Sequence, residues 1–155
     1  MKPDPASRRT AASTALIFSL GLLLASAPAA AQFFGTDELL DPEKAFRISA
    51  RALDRRLVEV EFRIARGYYM YRDRFSFATE AGTPLADVQI PRGKIKEDAF
   101  FGKSETFRDL VRMRVPVSAE DAARGDIKLK VTSQGCSDQG VCYVPLEQTV
   151  RVRLP

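Results

Sequence analysis

The chain has 155 residues, a formal net charge of +4, two cysteines and no histidine. The length suits one ordinary domain, and the charge, nearly balanced and spread along the chain, predicts no nucleic-acid interface. The lack of histidine excludes Ser-His and Cys-His catalytic pairs and histidine-ligated metal sites, and two cysteines alone cannot complete a structural zinc site. We therefore expect neither a metal nor another cofactor.

Residues 1–31 have the pattern of a secretory signal peptide. A basic start with Arg8 and Arg9 precedes an apolar run at about residues 15–25, and Ala29 to Ala31 fit an A-x-A cleavage site. The apolar run is too short to span a membrane, and no later run is long enough. Residues 1–31 contain three of the 24 basic and one of the 20 acidic residues, so their removal would lower the net charge from +4 to +2. We expect an exported, soluble domain over residues 32–155.

The rest of the chain alternates between apolar and charged residues, the pattern of antiparallel strands with one solvated face. A turn or short-helix start at Asp41 and Pro42 precedes the alternation, and the only good helical signal is a capping-box-like Ser118 to Gly125. About seven short strands with turns between them predict an all-β fold, an immunoglobulin-like antiparallel β-sandwich. The alternating runs lie at 46–50, 58–64, 75–77, 88–90, 111–117, 127–131 and 150–154.

Both cysteines, Cys136 and Cys142, lie in a short polar loop between the last two predicted strands. If those strands pair as a hairpin, the loop brings the two sulfurs face to face at a separation that a disulfide can bridge. Counting along each strand puts the two cysteines on opposite faces, so one strand must slip by a residue. Gly135 or Pro145 is the expected place for that bulge or bend.

The chemistry of the loop leaves two interpretations open, in about equal balance. A structural disulfide is the ordinary expectation for an exported β-domain, yet closing a loop of about seven residues contributes only about 2–2.5 kcal/mol. A thiol–disulfide exchange site is the other interpretation. The loop contains Asp138 but no lysine or arginine that would activate a thiol locally, so such a pair would need a partner with a good leaving thiol.

Three stretches, in the same order and at similar separations, resemble the family of the N-terminal periplasmic domain of the thiol:disulfide interchange protein DsbD. They are GYYMYR at 67–72, KEDAFFGKSE at 96–105 and GCSDQGVCY followed by VPLE at 135–147. The resemblance implies an immunoglobulin-like domain that acts as a protein-disulfide reductase in the periplasm. Without the cysteines, the tyrosines and phenylalanines of these stretches would equally suit ordinary packing positions.

The resemblance also implies roles for individual residues. Cys142 would be the nucleophile that forms a mixed disulfide with partners, and Cys136 the thiol that resolves it. Phe100 would be the aromatic cap over the sulfurs. The remaining site-lining residues that it implies are Asp98, Tyr69 and Tyr71. Ala99 stands where the family often has glutamate, so a carboxylate role there is lost or passes to a neighbouring acidic residue.

The implied partners are a membrane thiol electron donor of the DsbD type and periplasmic thioredoxin-fold acceptors, such as disulfide isomerases or cytochrome c maturation thioredoxins. We expect a monomer. The family protein continues into a transmembrane and a thioredoxin-like domain, so a stand-alone module with a separate donor and a piece of a longer protein both fit. The alternative from another class is a non-catalytic exported β-sandwich, a binding or assembly module with a structural disulfide.

Overall fold

The structure is a computed structural model that describes residues 38–155, except for the side chain of Asp98. The signal peptide expected at residues 1–31 lies outside the described residues. The strands of the described part are β1 (Phe46–Asp54), β2 (Leu57–Ile64), β3 (Tyr68–Tyr71), β4 (Ser76–Thr79), β5 (Lys94–Asp98), β6 (Gly102–Phe107), β7 (Leu110–Pro116), β8 (Asp126–Ser133), β9 (Gly135–Ser137) and β10 (Leu146–Arg153). The helices there are α1 (Pro42–Ala45), a 3-10 turn (Arg72–Arg74) and α2 (Ala119–Ala123).

The strands form three sheets with the orders β1-β2-β7, β10-β8-β4 and β5-β6-β3-β9. Every pairing of these strands is antiparallel. The all-β antiparallel prediction is therefore confirmed for the described residues. No helix between residues 38 and 155 is long and apolar enough to cross a membrane.

The alternating strands bury their apolar side chains in one core. In β2, Val58, Val60 and Phe62 are completely buried, and so are Leu129 and Val131 in β8. Each large apolar side chain that leaves water contributes about 1.5–3 kcal/mol to folding. Because successive side chains of a strand point to opposite faces, the apolar residue at every second position determines which face of each strand packs on the core. The outer face of the β1-β2-β7 sheet carries charged side chains, as the same alternation requires.

Local signals explain the short elements and one departure. The Ser118 hydroxyl accepts a hydrogen bond from the Asp121 amide at 3.0 Å and caps α2, as the capping pattern predicts. The strand predicted at 88–90 is absent from the described structure, where Gln89 forms only an isolated bridge. Asp87, with φ of 58°, interrupts the extended backbone before it, and Pro91 removes an amide donor after it.

The sheet β5-β6-β3-β9 positions the cysteine loop. β9 follows β8 directly but pairs with β3, and Tyr69 lies opposite Cys136 in that pairing. β3 also pairs with β6, whose hairpin with β5 ends at the turn 99–101. The cysteines, the tyrosine strand and the 99–101 turn therefore meet at one sheet.

Candidate functional site

Cys136 and Cys142 are joined in a disulfide, with their Cα atoms 4.0 Å apart. The two sulfurs differ in environment, because Cys136 on β9 is completely buried and Cys142 is only half-buried. The predicted opposition of the two cysteines is confirmed by an antiparallel bridge between them. A reagent approaching from solvent therefore reaches the pair through Cys142.

A one-residue slip brings the cysteines onto the same side. Ser133 pairs with Leu146 in the β8–β10 ladder, whereas the amide of Tyr143 already donates to the carbonyl of Gly135 at 3.0 Å. The returning strand therefore has one extra residue, located at 144–145. The predicted slip is confirmed, on the Pro145 side of the loop.

Gly135 allows the loop to lie close to its supports. A Cβ atom at this position would stand 2.5 Å from the Phe46 ring and 2.5 Å from the Tyr69 carbonyl oxygen. Glycine is thus required here for close approach of the backbone. The consequence is that Cys136, the next residue, is held against β3.

The Tyr71 hydroxyl lies beside the disulfide, 3.2 Å from Cys136 Sγ and 3.9 Å from Cys142 Sγ. It also donates to the Tyr69 hydroxyl at 3.5 Å. Both tyrosine side chains are almost fully buried. The structure thus brings Tyr69 and Tyr71 to the cysteines, and a hydroxyl at these distances can donate to a thiolate when the disulfide opens.

The turn 99–101, called the cap turn below, brings Phe101 to the site. The Phe101 ring lies edge-on to Tyr71 with 4.7 Å between ring centroids, and the Arg74 guanidinium stands 4.2 Å from the centroid of the Phe101 ring. Phe101 and Cys142 both pack on the buried cluster of Tyr69, Tyr71 and Cys136.

Phe100, the cap suggested by the sequence resemblance, is 48% exposed in this structure. Its assignment as the cap stays a prediction, and Phe101 is the ring that packs against Tyr71 in the structure.

Asp98 ends β5 opposite Gly102, but its side chain is not described. Beside the cap turn lies a groove of about 440 Å³, lined by Tyr71, Asp73, Arg74, Phe101, Lys103 and Ser104.

Two cations lie close to Tyr69. Lys96 Nζ is 4.5 Å and Arg108 Cζ 5.1 Å from the centroid of its ring. Arg108 also donates two hydrogen bonds to the Asp138 carboxylate, at 2.9 and 2.6 Å. The Arg108 hydrogen bonds lower the pKa of Asp138 from its ordinary value, against the opposing effect of burial. The positive charge that the cysteine loop lacks in sequence is thus supplied by β5, through Lys96, and by the turn after β6, through Arg108.

The family model described as "Thiol:disulfide interchange protein DsbD, N-terminal" matches residues 36–154. The chain belongs to the DsbD N-terminal domain family. Among its relatives are the thiol:disulfide interchange proteins DsbD of Ralstonia nicotianae, 47% identical over 139 residues, and of Escherichia coli, 39% identical over 137 residues. These alignments cover 88% and 86% of this chain but only 22% and 23% of the relatives, so the chain spans less than a quarter of their length.

Two solved structures of DsbD N-terminal domains resemble this one. The reduced domain of Neisseria meningitidis is 34% identical, with a TM-score of 0.63 and coverage of 74% of this chain and 90% of that chain. The same bacterium's complex between the DsbD N-terminal and PilB N-terminal domains gives 36% identity, a TM-score of 0.59 and coverage of 72% and 85%. The DsbD N-terminal domain fold confirms the predicted immunoglobulin-like β-sandwich.

Sequence reasoning missed three side chains at this DsbD-type site: Phe101, Lys96 and Arg108. Phe101 and Lys96 lie in the KEDAFFGKSE stretch that supported the resemblance, yet nothing in a linear motif tells which of two adjacent rings packs inward. Arg108 lies 30 positions before Asp138, and no local pattern indicates that they pair. The one available signal was Asp138, the lone acidic residue inside the cysteine loop, with which a cation from another segment can pair.

Proposed function

We propose that this domain is a protein-disulfide reductase module that relays reducing equivalents by thiol–disulfide exchange at Cys136 and Cys142. The observation that supports this most strongly is the unequal exposure of a disulfide pair in a DsbD-family domain. A half-buried Cys142 is open to a partner, while a completely buried Cys136 lies behind it. A structural disulfide needs no such asymmetry.

In the proposed reaction, the Cys142 thiolate attacks one sulfur of the partner's disulfide, and the partner's other sulfur leaves as a thiolate. The Cys136 thiolate then attacks Cys142 Sγ, which breaks the mixed disulfide and releases the reduced partner. Two electrons pass from the domain to the partner, whose two thiolates take up the two protons lost by Cys136 and Cys142. A donor dithiol restores the domain by the reverse sequence.

The tyrosines of β3 have a supporting role in this proposal. The Tyr71 hydroxyl lies within reach of both sulfurs, so it can donate to whichever one carries negative charge. In the oxidised domain that hydroxyl donates its one proton to Tyr69, so it must turn from Tyr69 to the sulfur when a thiolate forms. Asp98, at the end of β5 beside the cap turn, is proposed to line the same site.

The cap turn is proposed to shield the pair from small oxidants until a partner displaces it. Phe101 anchors the turn against Tyr71, and the exposed ring of Phe100 stands at its outer side, where a partner can engage it first. Gly102, with φ of 62°, closes the turn in a conformation that glycine adopts without strain. Phe101 holds the turn closed in this proposal, and Phe100 adds a second, outer shielding ring.

The proposed compartment is the periplasm, reached through a signal peptide at residues 1–31, with an exchange domain over residues 32–155. The proposed donor is a membrane thiol carrier of the DsbD type. The proposed acceptors are thioredoxin-fold proteins such as disulfide isomerases or cytochrome c maturation thioredoxins. The complex between the related DsbD N-terminal domain and the PilB N-terminal domain of Neisseria meningitidis supports the proposal that this chain binds another protein domain.

Trapping of the mixed disulfide tests the assignment of roles. Cys136→Ala should accumulate a covalent complex with an oxidised thioredoxin-fold acceptor, because the attacking thiol remains and the resolving thiol is gone. Cys142→Ala, the matched control, should accumulate little, since its remaining thiol is buried. Trapping by Cys142→Ala alone would reverse the roles, and trapping by neither would favour the non-catalytic module with a structural disulfide.

A further inference from the structure

The loop between the cysteines is tied down through Asp138 at two points. The Asp138 amide donates to the carbonyl of Gly67 at 2.7 Å. The Asp138 carboxylate receives Nη1 of Arg108 at 2.9 Å and Nη2 at 2.6 Å, a two-pronged arrangement that fixes orientation as well as distance. Asp138 therefore cannot shift without breaking contacts to two other segments.

Arg108 is itself fixed to the strand that carries the tyrosines. Nη1 also donates to the carbonyl of Tyr68 at 3.4 Å, and the guanidinium lies 5.1 Å from the centroid of the Tyr69 ring. Arg108 follows β6 directly and precedes Asp109, whose φ is 60°. One side chain thus joins the cysteine loop, the tyrosine strand β3 and the turn after β6.

We propose that Arg108 is a positioning residue of the exchange site, which holds the Asp138 loop so that the two thiols stay opposed when the disulfide is open. This inference rests on the proposed exchange function. In the oxidised domain the disulfide itself holds the loop. In the reduced domain the Arg108–Asp138 pair limits how far Cys142 can move from Cys136, and so raises the effective concentration of one thiol at the other.

The consequence is a change in the redox equilibrium of the folded domain, which requires that removing the pair costs the oxidised domain more unfolding free energy than it costs the reduced domain. Both partners of the pair are partly exposed, with 43% and 46% of their side chains accessible, and ion pairs of that kind contribute little to unfolding free energy. A looser reduced loop, in contrast, directly lowers the equilibrium constant for forming the disulfide. An ordinary surface ion pair would leave that constant unchanged.

The test measures the redox equilibrium of the domain in a dithiothreitol buffer at neutral pH. Two protein thiols reduce one oxidised dithiothreitol, which takes up two electrons and two protons as the protein disulfide forms. Arg108→Gln should lower the equilibrium constant for disulfide formation three- to tenfold, which corresponds to a potential about 14–30 mV less negative. Asp138→Asn should have the same effect, and the double variant should add little to either. Arg108→Lys keeps the positive charge but not the two-pronged hydrogen bonding, so its equilibrium constant should lie between those of Arg108→Gln and the wild type.

Arg112→Gln is the matched control, since it removes an arginine from a partly exposed ion pair with Glu61, on a strand of another sheet. Its equilibrium constant should equal that of the wild type. Unfolding of each oxidised variant is measured alongside, and Asp138→Asn decides the matter if Arg108→Gln does not fold. The inference would be overturned if Arg108→Gln and Asp138→Asn both kept the wild-type equilibrium constant. It would also be overturned if the double variant showed the full sum of the two single effects. Failure of the exchange function would instead appear as absent trapping by Cys136→Ala with Arg108 and Asp138 unchanged, while the redox equilibrium of the domain with both cysteines could still be measured.

Discussion

The two rings of the cap turn can be separated by mutation. Phe101→Ala removes the edge contact with Tyr71 at 4.7 Å and the Arg74 guanidinium contact at 4.2 Å. An aromatic pair contributes about 0.5–1.5 kcal/mol and a solvent-accessible cation–π contact about 0.5–1 kcal/mol, so closure of the turn loses about 1–2.5 kcal/mol. If the turn must open before a small oxidant enters, oxidation should then accelerate by roughly 5- to 70-fold.

The assay follows oxidation of the reduced domain by a small disulfide, together with the unfolding midpoint of the same protein. Phe100→Ala is the matched control, because it removes the same ring from the next position, where the side chain is 48% exposed. We expect a smaller acceleration for Phe100→Ala than for Phe101→Ala. An unchanged oxidation rate with a lowered midpoint would make Phe101 a packing residue only, and acceleration in Phe100→Ala alone would make Phe100 the shielding ring.

Three further predictions concern the stability of the domain. The double variant Cys136→Ala, Cys142→Ala should still unfold cooperatively, with an unfolding free energy lowered by about 2–2.5 kcal/mol, the loop-closure contribution. A non-cooperative transition would show that the disulfide is structural. Gly135→Ala, whose Cβ would lie 2.5 Å from two neighbours, should lower the unfolding free energy by about 3 kcal/mol. Gly140→Ala, where only the positive φ is strained, should lower it by about 1 kcal/mol. Equal losses would contradict the close approach of the backbone at Gly135. Burial, followed by a hydrogen bond to a neighbouring tyrosine, raises the pKa of Tyr143 from 10.0 to about 12. The native state therefore holds that proton more tightly than the unfolded state, so the unfolding free energy of the disulfide-bonded protein should fall as the pH rises from 10 to about 12. Tyr143→Phe should remove that part of the decrease. Parallel curves of unfolding free energy against pH for the wild type and Tyr143→Phe would contradict the prediction.

The strands that were predicted from sequence are those with one buried and one solvated face. The run 58–64 falls within β2, and the run 127–131 within β8, because alternation reports directly on burial there. β3 could not be found in this way, since all four of its residues are buried and no period remains. β5 and β6 have few buried residues and likewise give no alternation. The alternation of apolar and charged residues therefore could not predict the sheet that positions the site.

The candidate site was predictable where its parts are close in sequence. The flanking strands predicted that Cys136 and Cys142 face each other, and the residue count along those strands predicted a one-residue slip at Gly135 or Pro145. The Arg108–Asp138 pair was not predictable, because it depends on how β6 and β9 flank β3. The choice between Phe100 and Phe101 depends on the geometry of a tight turn, which adjacent identical residues do not reveal.

The reduction potential of the Cys136–Cys142 pair tests the central claim most directly. A structural disulfide in an exported protein lies below about −300 mV, whereas a pair that exchanges with partners is appreciably less negative. The measurement equilibrates the purified domain with redox buffers of known potential and quantifies the free thiols. We expect a midpoint clearly above about −300 mV, and a midpoint at or below that value would make the disulfide a structural one.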